Sequence, residues 1–173
     1  YNTAMVEADD PALGSWQLMW DERHQGNILQ FNNSRDAFGT AQYFLGLDVN
    51  SESEAEWRKA LEKLKEQKPS LKVLLMIGGW GDKADGFSEM ARDPKKRALF
   101  CQTCAEHIKN YNLDGIDIDW EYPTAGPSEN GKHPDDTRNF NIVLKELREA
   151  IGNEKIISYA SSSNADYVDW ATA

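Results

Sequence analysis

From about residue 40 onward, apolar positions fall in turn into short continuous runs and into stripes at helical spacing. The run Ala41-Gln42-Tyr43-Phe44-Leu45-Gly46-Leu47 predicts a strand. A helix follows from Ser53 to about Gln67, with Trp57, Leu61 and Leu64 on one face and Ser53 with Glu56 spaced as a capping box. Leu71 to Ile77 is a compact apolar run ending at Gly78-Gly79 and predicts a second strand, whereas Trp80 to Asp93 resembles a polar loop. Phe100, Cys104, Ile108 and Tyr111 then mark a helix over Lys95–Tyr111, and Asn112 to Trp120 predicts a third strand. A long loop rich in proline and glycine covers Tyr122 to Asp136. Phe140, Val143, Leu144, Leu147 and Ile151 form the next helical stripe, with Gly152 at the C-terminal cap position, and Ile156 to Ala160 predicts a fourth strand. Strands separated by helices at this spacing indicate an α/β protein with β-α-β units and a parallel sheet.

Residues 1–40 stand outside this rhythm. Trp16, Leu18 and Trp20 alternate, as do Ile28 and Gln30 against Leu29 and Phe31. Two readings fit: a hairpin around Asp21–Asn27, or a degenerate first strand over residues 14–20.

Composition narrows the function classes. A formal net charge of −10 over 173 residues repels nucleic acid and anionic membrane surfaces, whereas an uncharged glycan meets no such barrier. No apolar run reaches the roughly 18 residues of a membrane span. The N-terminal residues show neither a basic region nor an apolar stretch, so no signal peptide is visible. The two cysteines, Cys101 and Cys104, lie within a predicted helix with no strand delivering them, which favours two small semi-buried residues over a redox pair. His24, His107 and His133 are scattered, and neither a metal nor any other cofactor is expected.

The chemistry concentrates in Asp117-Ile118-Asp119-Trp120-Glu121. Alternation along a strand points Asp117, Asp119 and Glu121 to one face and Ile116, Ile118 and Trp120 to the other. Three ionised carboxylates in a row are disfavoured by desolvation and mutual repulsion, so the ladder must share protons and at least one pKa should rise. Glu121, at the C-terminal end of the strand, is the best-placed general acid. A hard-cation site and an inert acidic strand are the competing explanations. Asp114 has the opposite parity and is read as structural.

The stretch Asp114-Gly115-Ile116-Asp117-Ile118-Asp119-Trp120-Glu121-Tyr122-Pro123 resembles the signature of family 18 glycoside hydrolases, the chitinase family, and Lys72 to Trp80 resembles that family's third barrel strand. The resemblance covers residues 41–173 and implies a (β/α)8 barrel of TIM type, with this chain supplying about strands two to five. It implies that Glu121 donates a proton to the glycosidic oxygen, that Asp119 holds the substrate's N-acetyl group, and that Asp117 supports Asp119. Hydrolysis of chitin or related N-acetylglucosamine glycans would then be substrate-assisted and retaining. Trp80 and Tyr122 are expected to stack on sugar rings, and Gly78 and Gly79 to allow close backbone approach to them. The resemblance also implies a secreted or periplasmic protein. A glycan-binding lectin on the same fold, or a segment completed by a partner chain, are the alternatives. Such a barrel typically needs about 250 residues, so this chain is expected to be part of a longer protein. Met76 stands where the family usually carries a small residue, often serine.

Overall fold

A computed structural model describes residues 1–29, 33–125 and 132–161, which form two compact units divided after Leu71. Gln30 and Phe31, two of the four residues in the expected Ile28–Phe31 alternation, lie outside the described residues, as does Asn164–Ala173.

The first unit is helical. Short 3-10 turns run over Trp16–Trp20 and Glu22–His24, capped by Ser15 and Asp21, whose side chains accept from the amides of Gln17 and Arg23. Neither the hairpin around Asp21–Asn27 nor a strand over 14–20 forms. The strand expected at Ala41–Leu47 is also overturned. Helix α1 spans Ser34–Phe44, with the Asn33 side chain accepting from the Arg35 and Asp36 amides. A short apolar run cannot by itself distinguish strand from buried helix, and the Asn33 cap sits upstream of that run. Helix α2 covers Glu54–Gln67, where the capping box is not made: Ser53 offers no side-chain bond, and its own amide binds Ser51 Oγ at 3.1 Å. Phe38 of α1 packs against Trp57 of α2 with ring centroids 5.2 Å apart.

The second unit carries a three-stranded parallel sheet in the order β1 (Leu74–Gly79), β2 (Gly115–Trp120), β3 (Ile156–Tyr159). The segment expected to be a polar loop holds a 3-10 turn, Gly81–Ala84, and a short helix α3, Phe87–Arg92, which buries Phe87, Ser88 and Ala91. Helix α4, Pro94–Tyr111, starts at Asp93, which accepts from the Lys95 and Lys96 amides, and ends at Asn112 in the left-handed conformation. Helix α5 spans Asp136–Ile151 and stops at Gly152, as expected. One face of the sheet is covered: Ile116 and Ile118 of β2 and Val143 and Leu147 of α5 are fully buried, and Trp120 stacks on Phe87 at 5.4 Å and meets Phe140 edge-on. Between α4 and α5, Arg97 grips Glu146 through two bonds of 2.9 and 3.1 Å and donates to the Ala91 carbonyl. Cys101 and Cys104 are free and buried in this core, which pushes their thiols up to about 11 and about 12. Among the described residues no helix is long and apolar enough to cross a membrane.

Candidate active site

Strand β2 separates its side chains as alternation demands. Ile116, Ile118 and Trp120 are sealed into the core, while Asp117, Asp119 and, just beyond the strand, Glu121 are half-buried on the opposite face. That burial anchors the ladder: the apolar face holds β2 in place, so the carboxylates are held by the strand backbone rather than by a loop. The buried Pro123 follows. Asp114 is structural, its Oδ2 accepting from the Val73 amide at 2.9 Å and its Oδ1 pairing with Lys72 at 3.2 Å.

The acids interact with one another. Burial raises the Asp119 carboxyl above its ordinary value, and a hydrogen bond with Glu121 and the charges of Glu121 and Asp117 add to the effect. A carboxyl raised in this way keeps its proton more readily, and it lies beside Glu121 at the C-terminal end of β2. The ladder thus has a raised carboxyl, as expected, and it is Asp119. Asp117 is held differently: Ser158 of β3 donates its hydroxyl to Asp117 Oδ1 at 2.6 Å.

The other expected site residues gather at the same end of the sheet. Trp80 follows β1 and is 60% exposed, and its ring meets Tyr122 nearly perpendicular, centroids 6.5 Å apart. Both glycines have positive φ. The close approach at Gly78 is made by the chain itself: a Cβ there would lie 2.4 Å from the Asp119 carbonyl oxygen and 2.8 Å from the Phe87 ring. At Gly79 it would meet the Lys83 side chain at 3.1 Å.

Two features escaped the sequence. Ser158 carried no local signal beyond its place in a strand, because its partner lies 41 residues away. In the other unit, Asp10, Asp21 and His24 are the described cluster with ligand atoms spaced to hold a cation. Arg23 already pairs with both carboxylates there, donating to Asp10 at 2.8 Å and to Asp21.

Comparison with known proteins shows the family of the chain. The family model for glycosyl hydrolases family 18 matches residues 22–172. Chitinase A1 of Niallia circulans is 34% identical over 115 residues, 62% of this chain and 16% of that protein. Chitinase 1 of Yersinia entomophaga is 35% identical over 130 residues, 72% of this chain and 24% of that protein. The chitinase domain of the spore coat protein CotE from Clostridium difficile shares the fold with a TM-score of 0.60 at 40% identity, covering 69% of this chain and 34% of that one. The Group IV chitinase of Ostrinia furnacalis, in complex with allosamidin, gives a TM-score of 0.58 at 34% identity, covering 77% of this chain and 36% of that one. The chain therefore spans about a third of these structural neighbours and a smaller share of the curated relatives.

Proposed function

The chain belongs to glycosyl hydrolases family 18, and on that premise we propose that the protein hydrolyses β-1,4 linkages in chitin or other N-acetylglucosamine glycans. Strands β1, β2 and β3 are, on this reading, the third to fifth strands of an eight-stranded barrel.

The observation that carries the proposal is the row of half-buried acids, Asp117, Asp119 and Glu121, on one face at the C-terminal end of β2, whose other face is sealed into the core. Glu121 gives its proton to the glycosidic oxygen as the bond from the anomeric carbon to that oxygen breaks. The acetamido oxygen of the same sugar forms a new bond to that carbon, so no protein nucleophile is needed. Once Glu121 has given up the proton, Asp119 faces the positive charge of the cyclised intermediate and stabilises it. Water then attacks the anomeric carbon, Glu121 takes the water's proton, and configuration is retained. Asp117 supports Asp119 from one rung below. The exposed Trp80 ring and Tyr122 offer flat faces to pyranose C–H groups, and Gly78 and Gly79, the last residues of β1, lead directly into Trp80. A substrate that is a polymer too large to cross a membrane favours action outside the cytoplasm.

The test is Glu121→Gln in the full-length protein with soluble chitooligosaccharides. Turnover should disappear while oligosaccharide binding persists, because glutamine keeps the shape and loses the acid. Hydrolysis at the wild-type rate would remove Glu121 from its role. Binding by the wild-type protein without any hydrolysis would favour the lectin alternative.

A further inference from the structure

We infer that Ser158 is the positioning residue of the carboxylate ladder in this protein, and that Met76 makes the ladder depend on it. The inference rests on the family 18 reading of Asp117, Asp119 and Glu121.

The register places Met76, Asp117 and Ser158 in one row across β1, β2 and β3. Adjacent strands lie about 4.8 Å apart, so the two neighbours of Asp117 in this row are the side chains best placed to reach it. One of them is a thioether, which has no hydrogen to donate. The other is a hydroxyl at 2.6 Å, a length typical of a bond from a hydroxyl to an ionised carboxylate. Among the described residues, Ser158 is the only side chain hydrogen-bonded to Asp117.

Among the described residues, the other groups on this face offer no compensation. On its own strand Asp117 meets Asp119 and Glu121, both acidic. The same-parity positions of β1 are Leu74, Met76 and Gly78, and β3 adds Ile156 beside Ser158, so neither flanking strand brings a charge to this face. Among the described residues, the Ser158 hydroxyl is therefore the side-chain donor that fixes Asp117. With its Oδ1 occupied by that donor, Asp117 is fixed beside Asp119, and the ladder's proton stays at the Glu121 end, where the glycosidic oxygen can receive it. Without the hydroxyl, Asp117 competes for that proton.

The experiment compares Ser158→Ala, Ser158→Thr and Ser158→Ala combined with Met76→Ser in the full-length protein, using kcat and KM on a soluble chitooligosaccharide across pH. Ser158→Ala should move the acid limb of kcat up by about one pH unit, the loss of one charge-assisted hydrogen bond. At pH values below the limb this corresponds to a roughly tenfold loss in kcat, with KM little changed. Threonine keeps the hydroxyl and should restore the profile. Serine at position 76 supplies a donor from the opposite strand and should restore it in the double variant. A uniform fall in kcat at every pH, or no change, overturns the inference. Should Ser158→Ala not fold, Met76→Ser alone decides: a second donor should lower the acid limb, and an unmoved limb overturns the inference. An inert Glu121→Gln enzyme together with an acid limb unmoved in Ser158→Ala would sink the role of Ser158 while leaving the proposed function standing.

Discussion

Replacing Gly78 with alanine puts a methyl group into occupied space. The new Cβ would stand 2.4 Å from the Asp119 carbonyl oxygen and 2.8 Å from Cε2 of Phe87, where non-bonded heavy atoms ordinarily settle near 3.5 Å. Neither neighbour can yield cheaply: the oxygen belongs to the backbone of β2, and the Phe87 ring is stacked on the buried Trp120. Gly78 also sits at φ +108°, a conformation that disfavours a side chain by about 1–2 kcal/mol. Overpacking a tight site adds about 1–3 kcal/mol, so we expect a loss of about 3–4 kcal/mol, a large part of a typical domain's stability. Gly79→Ala is the matched control. Its φ of +132° is also unfavourable, but the new methyl meets only the Lys83 side chain, at 3.1 Å. Urea unfolding followed by tryptophan fluorescence should place the Gly78 variant about 2 kcal/mol below the Gly79 variant. Because the displaced oxygen belongs to Asp119, turnover should suffer more at position 78 as well. Equal stability losses in the two variants, or a Gly78 variant within about 0.5 kcal/mol of wild type, would refute the argument from backbone crowding.

The raised Asp119 carboxyl predicts a pH dependence with a definite sign. Below the ordinary carboxyl range both folded and unfolded chains hold the proton, and as pH climbs past the raised folded value the folded state pays for releasing it. Asp119→Asn should therefore be more stable than wild type at neutral pH, with the gap in urea midpoint closing towards pH 4; a gap that widens on acidification contradicts the assignment. Glu146→Ala leaves the largely buried Arg97 guanidinium with only the Ala91 carbonyl among the bonds described above. Full burial would make this cost about 3–5 kcal/mol; with Glu146 partly exposed we expect about 2 kcal/mol by urea unfolding, and a change under about 0.5 kcal/mol would show the pair to be solvated.

Much of the site was legible along the chain because strand parity is local. Once Ile116, Ile118 and Trp120 were recognised as a buried face, Asp117, Asp119 and Glu121 had to share the other. The helices α2, α4 and α5 were legible for the same reason, since each carries its own apolar stripe. Ala41–Leu47 was misread because its short apolar run suits a strand as well as a helix, and the Asn33 cap that starts α1 lies upstream of it. The segment after Trp80 hid α3 because six residues are too few to show a stripe.

The sequence alone determined the parallel α/β plan of the second unit, the acid ladder and which strand bears it, all properties of neighbouring residues. Only the tertiary structure decided which acid is raised, what fills the space at Gly78, and that Asp117 lies between a methionine and a serine hydroxyl. Those answers depend on the register between strands about 40 residues apart in the chain. That register is set by the packing of β1, β2 and β3 against Phe87, Phe140, Val143 and Leu147, and no short stretch of residues contains it.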